Sequence, residues 1–248
     1  MNGKAVGRYG FLDAPEGRAL RGERIVAALA DFGGIDAATS RILDVGCSAG
    51  LITDAIAGHA REVVGVDVDV EGVSLAAARR RGPRFVAASG DALPFADASF
   101  DAAVCNHVYE HVRDAHVLVR ELYRVLRPGG ACYFAAGHTL QLLEPHHRLP
   151  LLSCLPRTVA NAWLRARGSA SGYEERFVAP WALAGLLAPF DSVRFVSPQM
   201  LADPARYRFP QLTRHAVARV TVRMGARIVA RLAPTWIYVM RKRVQGAA

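Results

Sequence analysis

An aspartate and two glycines at close spacing give the clearest chemical signal in the chain. Asp44, Gly46 and Gly50 form the pattern Asp-x-Gly-x-x-x-Gly directly after a short apolar run. Glycines let the backbone pass close to a ligand, and a helix that begins just afterwards turns free N–H groups towards it. A dinucleotide site requires Gly-x-Gly-x-x-Gly, and Ser48 stands where the second of those glycines belongs. The turn therefore suits a ligand other than a dinucleotide, and the alternative is a tight strand–helix turn without a ligand.

A second aspartate lies where a ribose could bind. Asp67 closes the next apolar run, about 20 residues after Gly46. At the end of a second parallel strand, a carboxylate can accept hydrogen bonds from both vicinal hydroxyls of a ribose. Asp69 competes for this role, and Asp67 could instead cap the helix that follows. The pattern supports a ribose without choosing between cofactor classes.

Alternating strands and helices must position these residues. Short apolar runs that alternate with amphipathic stretches predict a parallel sheet with helices on both faces. The predicted strands cover residues 42–45, 62–67, 84–89, 101–105, 131–136, 192–196 and 235–240. The predicted helices include residues 18–32, 51–60, 72–81, 114–126, 151–167 and 179–187. This arrangement places the glycine turn in the crevice at the carboxyl end of the first strand.

Several landmarks follow one another along residues 38–137. They are the glycine turn at 44–50, the loop Gly90-Asp91-Ala92-Leu93-Pro94-Phe95, the loop 96–101, and the stretch from Glu121 to Gly130. Their order and context resemble the class I S-adenosylmethionine (SAM)-dependent methyltransferases of the small-molecule type, although many members have glycine at the position of Ser48. The resemblance implies a Rossmann-like α/β fold whose seven-stranded, mostly parallel sheet has the order 3-2-1-4-5-7-6.

The resemblance also implies a cofactor site, with SAM as cofactor and S-adenosylhomocysteine as product. The implied cofactor contacts are Asp44, Gly46, Cys47, Ser48, Gly50, Asp67, Val68, Asp91, Ala92 and Asn106. In the family, the positions of Asp44 and Asn106 lie near the methionine part of SAM. The position of Asp91 accepts from the adenine amino group, and the backbone N–H at Ala92 meets the ring.

Histidines crowd the predicted crevice and are candidate general bases. His146 and His147 follow the fifth strand, where this family commonly builds its acceptor pocket, and Glu144 could orient one of them. Imidazole titrates near neutral pH and can take a proton from an acceptor hydroxyl. His107 and His111 follow the fourth strand and compete for this role, while a polar surface turn is the ordinary alternative for the first pair. We predict no metal, because neighbours so close in sequence rarely converge on one ion and the cysteines form no C-x-x-C pair.

The chain is expected to form a single domain over residues 1–248. We divide it into an N-terminal lid segment (1–40), a cofactor-binding core (41–137) and two insertions (138–180 and 199–233) that should bind the acceptor. A hydrophobic content of 52% argues against disorder. The sequence has no uninterrupted run of 18 apolar residues and no apolar secretory region near its start, so the expected location is cytoplasmic, with peripheral membrane contact as an option.

Positive charge concentrates in the last third of a chain whose formal net charge is +9. In the stretch 214–232, arginines recur every four residues at Arg219, Arg223, Arg227 and Arg231. This spacing predicts a basic amphipathic helix, which can lie on an anionic membrane or bind an acidic partner. The ordinary alternative is a surface helix packed on the domain.

The expected function is transfer of a methyl group from SAM to a small-molecule, glycan or lipid-linked acceptor, with oxygen favoured because of the histidines. Nucleic-acid bases are disfavoured as acceptors, because Asn106-His107-Val108-Tyr109 replaces the Asn/Asp-Pro-Pro-Tyr/Phe signature of amino-methylating enzymes. One alternative is a methyltransferase-like binding module that docks on membrane or nucleic acid through its basic helix. A nicotinamide-dependent oxidoreductase is a weaker alternative, since its glycine fingerprint and a Tyr-x-x-x-Lys pair are missing.

Overall fold

A seven-stranded, mostly parallel sheet organises the computed structural model, which describes residues 15–79, 81–141, 143–144, 147, 149–169, 172–213 and 225–244. Its strands are β1 (Arg41–Val45), β2 (Glu62–Asp67), β3 (Arg84–Ala87), β4 (Phe100–Asn106), β5 (Leu126–Ala136), β8 (Ser192–Phe195) and β9 (Trp236–Arg241). Two further strands, β6 (Leu143–Glu144) and β7 (Leu149–Pro150), form a separate antiparallel pair.

The strand order is β3-β2-β1-β4-β5-β9-β8. Strands β1 to β5 run parallel, whereas β9 pairs antiparallel with both β5 and β8. The β6–β7 pair was not predicted. Because of it, the last two strands of the sheet are numbered β8 and β9 instead of 6 and 7. With that pair set aside, the order is the predicted 3-2-1-4-5-7-6.

Helices cover both faces of the sheet, as predicted. They are α1 (Pro15–Gly33), α2 (Leu51–Ala57), α3 (Val70–Ala78), α4 (Ala115–Val125), α5 (Arg157–Ala166), α6 (Pro180–Leu186), α7 (Ser197–Ala202) and α8 (Pro210–Thr213), and residues 225–232 are also helical. Buried side chains of α1, α2 and α7 share one apolar cluster with the sheet, and those of α4 and α6 share another. The chain therefore has the Rossmann-like α/β fold that the resemblance implied.

The central strands are apolar on both faces because both faces are covered. In β1, Ile42 packs in the cluster of α1 and α2, whereas Leu43 and Val45 pack in the cluster of α4. Successive side chains of a strand point to opposite faces, so a doubly covered strand reads as a continuous apolar run. The carboxyl ends of β1 to β5 then meet at one edge of the sheet, where the predicted site residues lie.

Element boundaries differ from the predictions at two places that bear on the site. Strand β3 ends at Ala87, so the loop that carries Asp91 begins two residues earlier than expected. Strand β5 begins at Leu126 and already includes the stretch 127–130, which we had predicted to be the break after α4. Helix α4 itself starts after Asp114, whose carboxylate accepts from the His116 and Val117 amides, as predicted.

The N-terminal and insertion segments are described in part. Residues 1–14 of the predicted lid lie outside the described residues, and α1 packs its buried side chains against the sheet. The helix predicted over 151–167 is shorter, because a 3-10 turn at Leu152–Cys154 precedes α5. Side chains of this region form a small apolar cluster of their own around Leu152, Leu164 and Tyr173.

Within the described residues, every helix is too short or too polar to cross a lipid bilayer.

Candidate functional site

The glycine turn after β1 needs glycine for backbone and packing reasons. Gly46 and Gly50 have φ angles of 79° and 75°, in the left-handed region that other residues rarely adopt. A Cβ at Gly46 would overlap the side chain of Val108, and one at Gly50 would lie 2.7 Å from the Phe85 ring. Ser48 also has a positive φ, of 46°, so the chain makes this turn without a third glycine.

The carboxylate of Asp67 is held in place at the end of β2. Its Oδ2 accepts a 2.7 Å hydrogen bond from the Ser48 amide, and its Oδ1 accepts one of 2.9 Å from the Asp69 amide. Each carboxylate oxygen keeps further acceptor capacity, so the fixed group can still receive two ribose hydroxyls. Asp69, not Asp67, caps α3, which removes the helix-cap alternative for Asp67. Val68 lies between them with an exposed side chain.

Asp44 is buried beneath the turn. Its Oδ2 accepts a 2.7 Å hydrogen bond from the hydroxyl of Thr53 on α2. Burial raises the pKa of Asp44 to about 7, against the Thr53 hydrogen bond that lowers it, and the charge of Asp67 raises it further. Burial thus favours the protonated form of this carboxyl group. Burial also raises the pKa of the neighbouring Cys47 thiol, which stays protonated and is a packing residue rather than a nucleophile.

The loop after β3 is fastened to α4. Asp91 is half-buried and accepts from the hydroxyl of Ser89, and the Ala92 amide donates to the Ser89 carbonyl at 3.1 Å. The amide that the resemblance assigns to the adenine ring thus has a partner inside the loop. Glu121 and Arg124 of α4 hold the rest of the loop through backbone groups at residues 93 and 95.

A histidine and a buried glutamate form a pair after β4. His107 has a left-handed φ of 59°, and its Nδ1 lies 3.2 Å from Oε1 of Glu110. Its Nε2 lies 3.1 Å from the hydroxyl of Thr235, just before β9. Glu110 is fully buried, and its Oε2 has no hydrogen-bond partner among the described residues. Burial raises the pKa of Glu110, but the hydrogen bond and charge of His107 outweigh it, so the pKa lies below its usual value.

The other expected site residues after β4 are spread over different environments. Asn106 is half-buried at the last position of β4, opposite Ala135 of β5. His111 is exposed, and its amide donates to the Val108 carbonyl at 2.9 Å. The structure thus brings Asn106 and His107 to the same edge of the sheet as Asp44. His111 lies further along the chain, in the segment between β4 and α4.

Of the two insertion histidines that we predict as candidate bases, the structure describes His147. His146 lies outside the described residues. The Nε2 of His147 lies 3.8 Å from Oε2 of Glu175, and its ring packs against Tyr173 at a centroid distance of 5.8 Å. Glu144 does contact His147, but it accepts from the backbone amide at 2.5 Å. Glu144 therefore holds the backbone of the turn at His147.

Cysteine and histidine chemistry gives no sign of a metal in the part of the chain that the structure describes. No group of three or more His, Cys, Asp and Glu side chains in that part could hold an ion. All four cysteines are free; Cys47, Cys105 and Cys132 are buried, and Cys154 is exposed.

Sequence reasoning missed the full surroundings of His107. His107 and Glu110 are three residues apart, a local spacing that a search for carboxylate–imidazole pairs could have found. Thr235 contacts the same ring from 128 residues further along the chain, and no sequence pattern indicates that contact. It depends on β9 lying beside β5.

Comparison with known proteins finds that the core of this chain is similar to methyltransferases. Residues 43–134 match the family described as a methyltransferase domain. A protein named as an uncharacterized methyltransferase from Mycobacterium sp. (strain JLS) is 44% identical over 89 residues, which are 36% of this chain and 35% of that protein. A probable S-adenosylmethionine-dependent methyltransferase from Mycolicibacterium smegmatis is 37% identical over 135 residues, 54% of this chain and 51% of that protein. The chain thus spans about a third to a half of the length of these relatives.

A solved structure supports the fold over a longer stretch. The YcgJ protein of Bacillus subtilis has a TM-score of 0.55 and 19% identity, over 90% of this chain and 98% of that one. At this identity the similarity concerns the fold alone. It covers a larger part of the chain than the match over residues 43–134.

Proposed function

We propose that the chain transfers a methyl group from SAM to an oxygen of a small-molecule, glycan or lipid-linked acceptor, because residues 43–134 match a methyltransferase domain and a similar protein is named as a probable S-adenosylmethionine-dependent methyltransferase. The observation that carries the proposal is the convergence of Asp44, Asp67, Asp91 and Asn106 at the carboxyl edge of four neighbouring strands. SAM supplies an activated methyl group on a sulfonium, so the protein mainly has to align the two reactants.

The side chains at this edge fit the parts of SAM. The fixed carboxylate of Asp67 suits the ribose diol, and the exposed Val68 beside it offers an apolar contact for the adenine ring. Asp91 is placed to accept from the adenine amino group. Asp44 and Asn106 lie where the methionine part would follow, and an ammonium group there would favour the ionised form of Asp44. The turn residues Gly46, Cys47, Ser48 and Gly50 complete the proposed site, and Ala92 lines it although its amide donates to the Ser89 carbonyl.

The proposed base is His107. When Nδ1–H donates to the Glu110 carboxylate, Nε2 is left as an acceptor, which is the tautomer that a general base needs. The Thr235 hydroxyl then donates to Nε2 in the resting state. The proton of the acceptor hydroxyl passes to Nε2 either directly, after Thr235 moves aside, or through the Thr235 hydroxyl. Glu110 stabilises the imidazolium that forms.

His111, His146 and His147 remain competing proposals for the base. His147 is occupied by packing on Tyr173 and by its approach to Glu175, and His111 is exposed one turn beyond His107. His107 is preferred because a buried carboxylate holds its ring.

The test replaces His107 and measures binding and turnover separately. The purified protein is incubated with SAM and a panel of phenols, carboxylic acids and primary amines, and S-adenosylhomocysteine is measured by mass spectrometry. We expect a hydroxyl-bearing acceptor to be methylated, and His107→Gln to reduce turnover at least about 100-fold with unchanged SAM binding. His111→Gln tests the competing histidine and should keep full turnover, and His116→Gln, at an exposed histidine of α4, is the matched control. Methylation of amines alone, or full turnover by His107→Gln, would overturn the assignment.

A second candidate function is docking on an anionic membrane surface through residues 225–232. Ala226 and Ala230 are buried, whereas Ile228 and Leu232 are 68% and 63% exposed, in a stretch that also carries exposed arginines. Exposed apolar and basic side chains on one helix fit the interface of an anionic bilayer. The first part of the predicted helix, 214–224, lies outside the described residues.

Sedimentation with vesicles tests this candidate. Vesicles with phosphatidylglycerol should bind the protein and purely zwitterionic vesicles should not. Ile228→Ser combined with Leu232→Ser should abolish binding, while Val159→Ser, at an exposed valine of α5, should not change it. Equal binding to both kinds of vesicle would contradict electrostatic docking.

A further inference from the structure

A cavity of about 490 Å³ opens beside the carboxyl end of β5, outside the proposed cofactor site. Its lining residues come from the first insertion and the start of α6, and they include Leu140, Arg157, Tyr173, Glu175, Arg176 and Trp181. The Phe177 ring packs so closely on Gly137, just after β5, that a Cβ there would overlap it. The cavity therefore adjoins the sheet edge at which the proposed site lies.

The wall of the cavity carries large apolar side chains that remain in contact with solvent. Trp181 is 76% exposed and Leu140 is 52% exposed, and both line the opening. Exposed apolar groups that line one concave surface are a common property of ligand sites. This wall suits a hydrocarbon or aromatic body.

Two arginines line the same cavity. The Nε of Arg157 donates to the Tyr173 carbonyl at 2.9 Å, and Nη1 of Arg176 donates to the Arg113 carbonyl at 3.1 Å. A guanidinium has five N–H donors in a planar fork, so each arginine can bind an anion while it keeps this anchor. Glu175 is the acidic side chain of the lining and lies 3.8 Å from Nε2 of His147. The lining thus favours a negatively charged ligand.

The lining also contains a buried hydroxyl that needs a partner. Tyr173 is only 5% exposed, and its hydroxyl comes near Ser153 without a hydrogen bond of ordinary distance and angle among the described residues. The Ser153 hydroxyl already accepts from Nε2 of Gln141 at 2.7 Å. A buried hydroxyl without a partner costs free energy, and a polar group of a bound ligand would satisfy it.

From these contacts we infer that the cavity binds an amphipathic anion, with its carboxylate or phosphate at Arg157 and Arg176 and its apolar body against Leu140 and Trp181. This ligand is the methyl acceptor, and that identification rests on the proposed function. The binding of an amphipathic anion in the cavity does not depend on the proposed function. The anion is the group by which the two arginines hold the molecule.

Calorimetric titration with simple amphiphiles tests the inference. The probes are dodecanoate and dodecyl phosphate, below their micelle concentrations, with dodecanol as the uncharged comparison. We expect both anions to bind, and we expect the affinity for dodecanol to be at least about 10-fold lower. The anion with the higher affinity identifies the preferred head group. In Arg157→Ala combined with Arg176→Ala, the anions should bind at least about 10-fold more weakly, whereas Arg165→Ala, at another arginine of α5, should bind them normally.

A second variant separates lost recognition from a misfolded cavity. Trp181→Ala removes an exposed side chain and should weaken dodecanoate several-fold while it leaves the cooperative thermal unfolding unchanged. Equal affinity for dodecanol and dodecanoate, or unchanged dodecanoate binding by the double arginine variant, would overturn the inference. SAM titrated into the same preparation tests the proposed function separately. A protein that binds dodecanoate but not SAM would support the anion site in the cavity and contradict the proposed methyltransferase activity.

Discussion

Asp44 links the site to the stability of the fold through its proton. In the unfolded chain its pKa should be near 3.9, and in the folded chain it is about 7. The folded state therefore binds this proton more tightly, so Asp44 makes the free energy of unfolding fall as pH rises from about 4 to 7. Replacing Asp44 with asparagine would keep the hydrogen bond from Thr53 and would remove the titratable group.

We predict that Asp44→Asn is more stable than the unchanged protein at pH 8, by about 1–2 kcal/mol. The full shift corresponds to about 4 kcal/mol, and relaxation around the buried carboxylate reduces the gain. Urea unfolding at pH 4, 6 and 8 measures the difference, which should vanish at the lowest pH. A variant that is less stable at pH 8, or equally stable at all three values, would show that Asp44 is not the buried titrating group.

Glu110 is a positioning residue for His107, and its replacement tests that role. We predict that Glu110→Gln lowers kcat about 10-fold with little change in KM, since a neutral amide stabilises the imidazolium less than a carboxylate does. Glu110→Asp should recover part of the loss. A variant with unchanged kcat, or one that raises only KM, would place Glu110 outside the proton path.

At the scale of single residues, sequence patterns identified the acids and missed their surroundings. Asp44 and Asp67 were singled out because they lie near the ends of predicted strands, and Asp91 because it lies in the loop after one. The sequence left Asp67 open between a ribose ligand and a helix cap, because it precedes α3 closely; in the structure Asp69 is the cap. The roles of His107 and Thr235 depend on a contact between strands far apart in sequence.

Among the elements, the turn between β1 and α2 is fixed by its contact with the segment after β4. We predict that Gly46→Ala lowers the free energy of unfolding by about 2–3 kcal/mol, because alanine resists a φ of 79° and its Cβ overlaps Val108. Denaturant unfolding measures the loss.

A second substitution divides that cost into its two causes. Val108→Ala opens space for the new Cβ, so Gly46→Ala should cost less in the Val108→Ala background, with a remainder of about 1 kcal/mol from the backbone conformation. Strict additivity of the two substitutions would mean that the overlap does not contribute.

The loop after β3 depends on α4 for its position. Arg124 donates to the carbonyls of Leu93 and Phe95, and Glu121 accepts from the Leu93 amide. We predict that Arg124→Gln weakens SAM binding about 5–10-fold, because the segment that carries Asp91 loses its anchors. Arg120→Gln, at an exposed arginine of the same helix, is the control. Equal SAM affinities of the two variants, measured by calorimetry, would contradict the role of this loop in the proposed cofactor site.

Element types could largely be predicted from the sequence, whereas some boundaries could not. Apolar periodicity indicated the strands of the sheet, and Asp114 gave the start of α4. The early start of β5 at Leu126 was missed, because residues 127–130 have the composition of a turn. In the structure Leu126 pairs with Phe100, and residues 127–130 lie in the register shift before Ala131 pairs with Ala102. The β6–β7 pair has two residues in each strand, which is too few for a recognisable pattern.

For the whole molecule, strand order and the acceptor region mark the limits of sequence reasoning. The order of the sheet followed from the family resemblance, because periodicity alone does not say where the last strand inserts. The cavity around Arg157, Arg176 and Trp181 gathers residues from three separate segments, and none of them stands out in the sequence. Sequence patterns therefore indicate the residues of the proposed cofactor site but not those of the cavity.

SAM binding by the proposed acids is the central claim, and calorimetric titration tests it most directly. SAM is titrated into the unchanged protein, with NADH as the comparison, and then into Asp67→Ala, Asp91→Ala and a control, Glu16→Gln, at an exposed acid of α1. We predict that SAM binds and NADH does not, that each aspartate variant binds SAM about 10–100-fold more weakly, and that the control is unchanged. A folded protein that does not bind SAM, or one that binds it equally well without Asp67, would contradict the account.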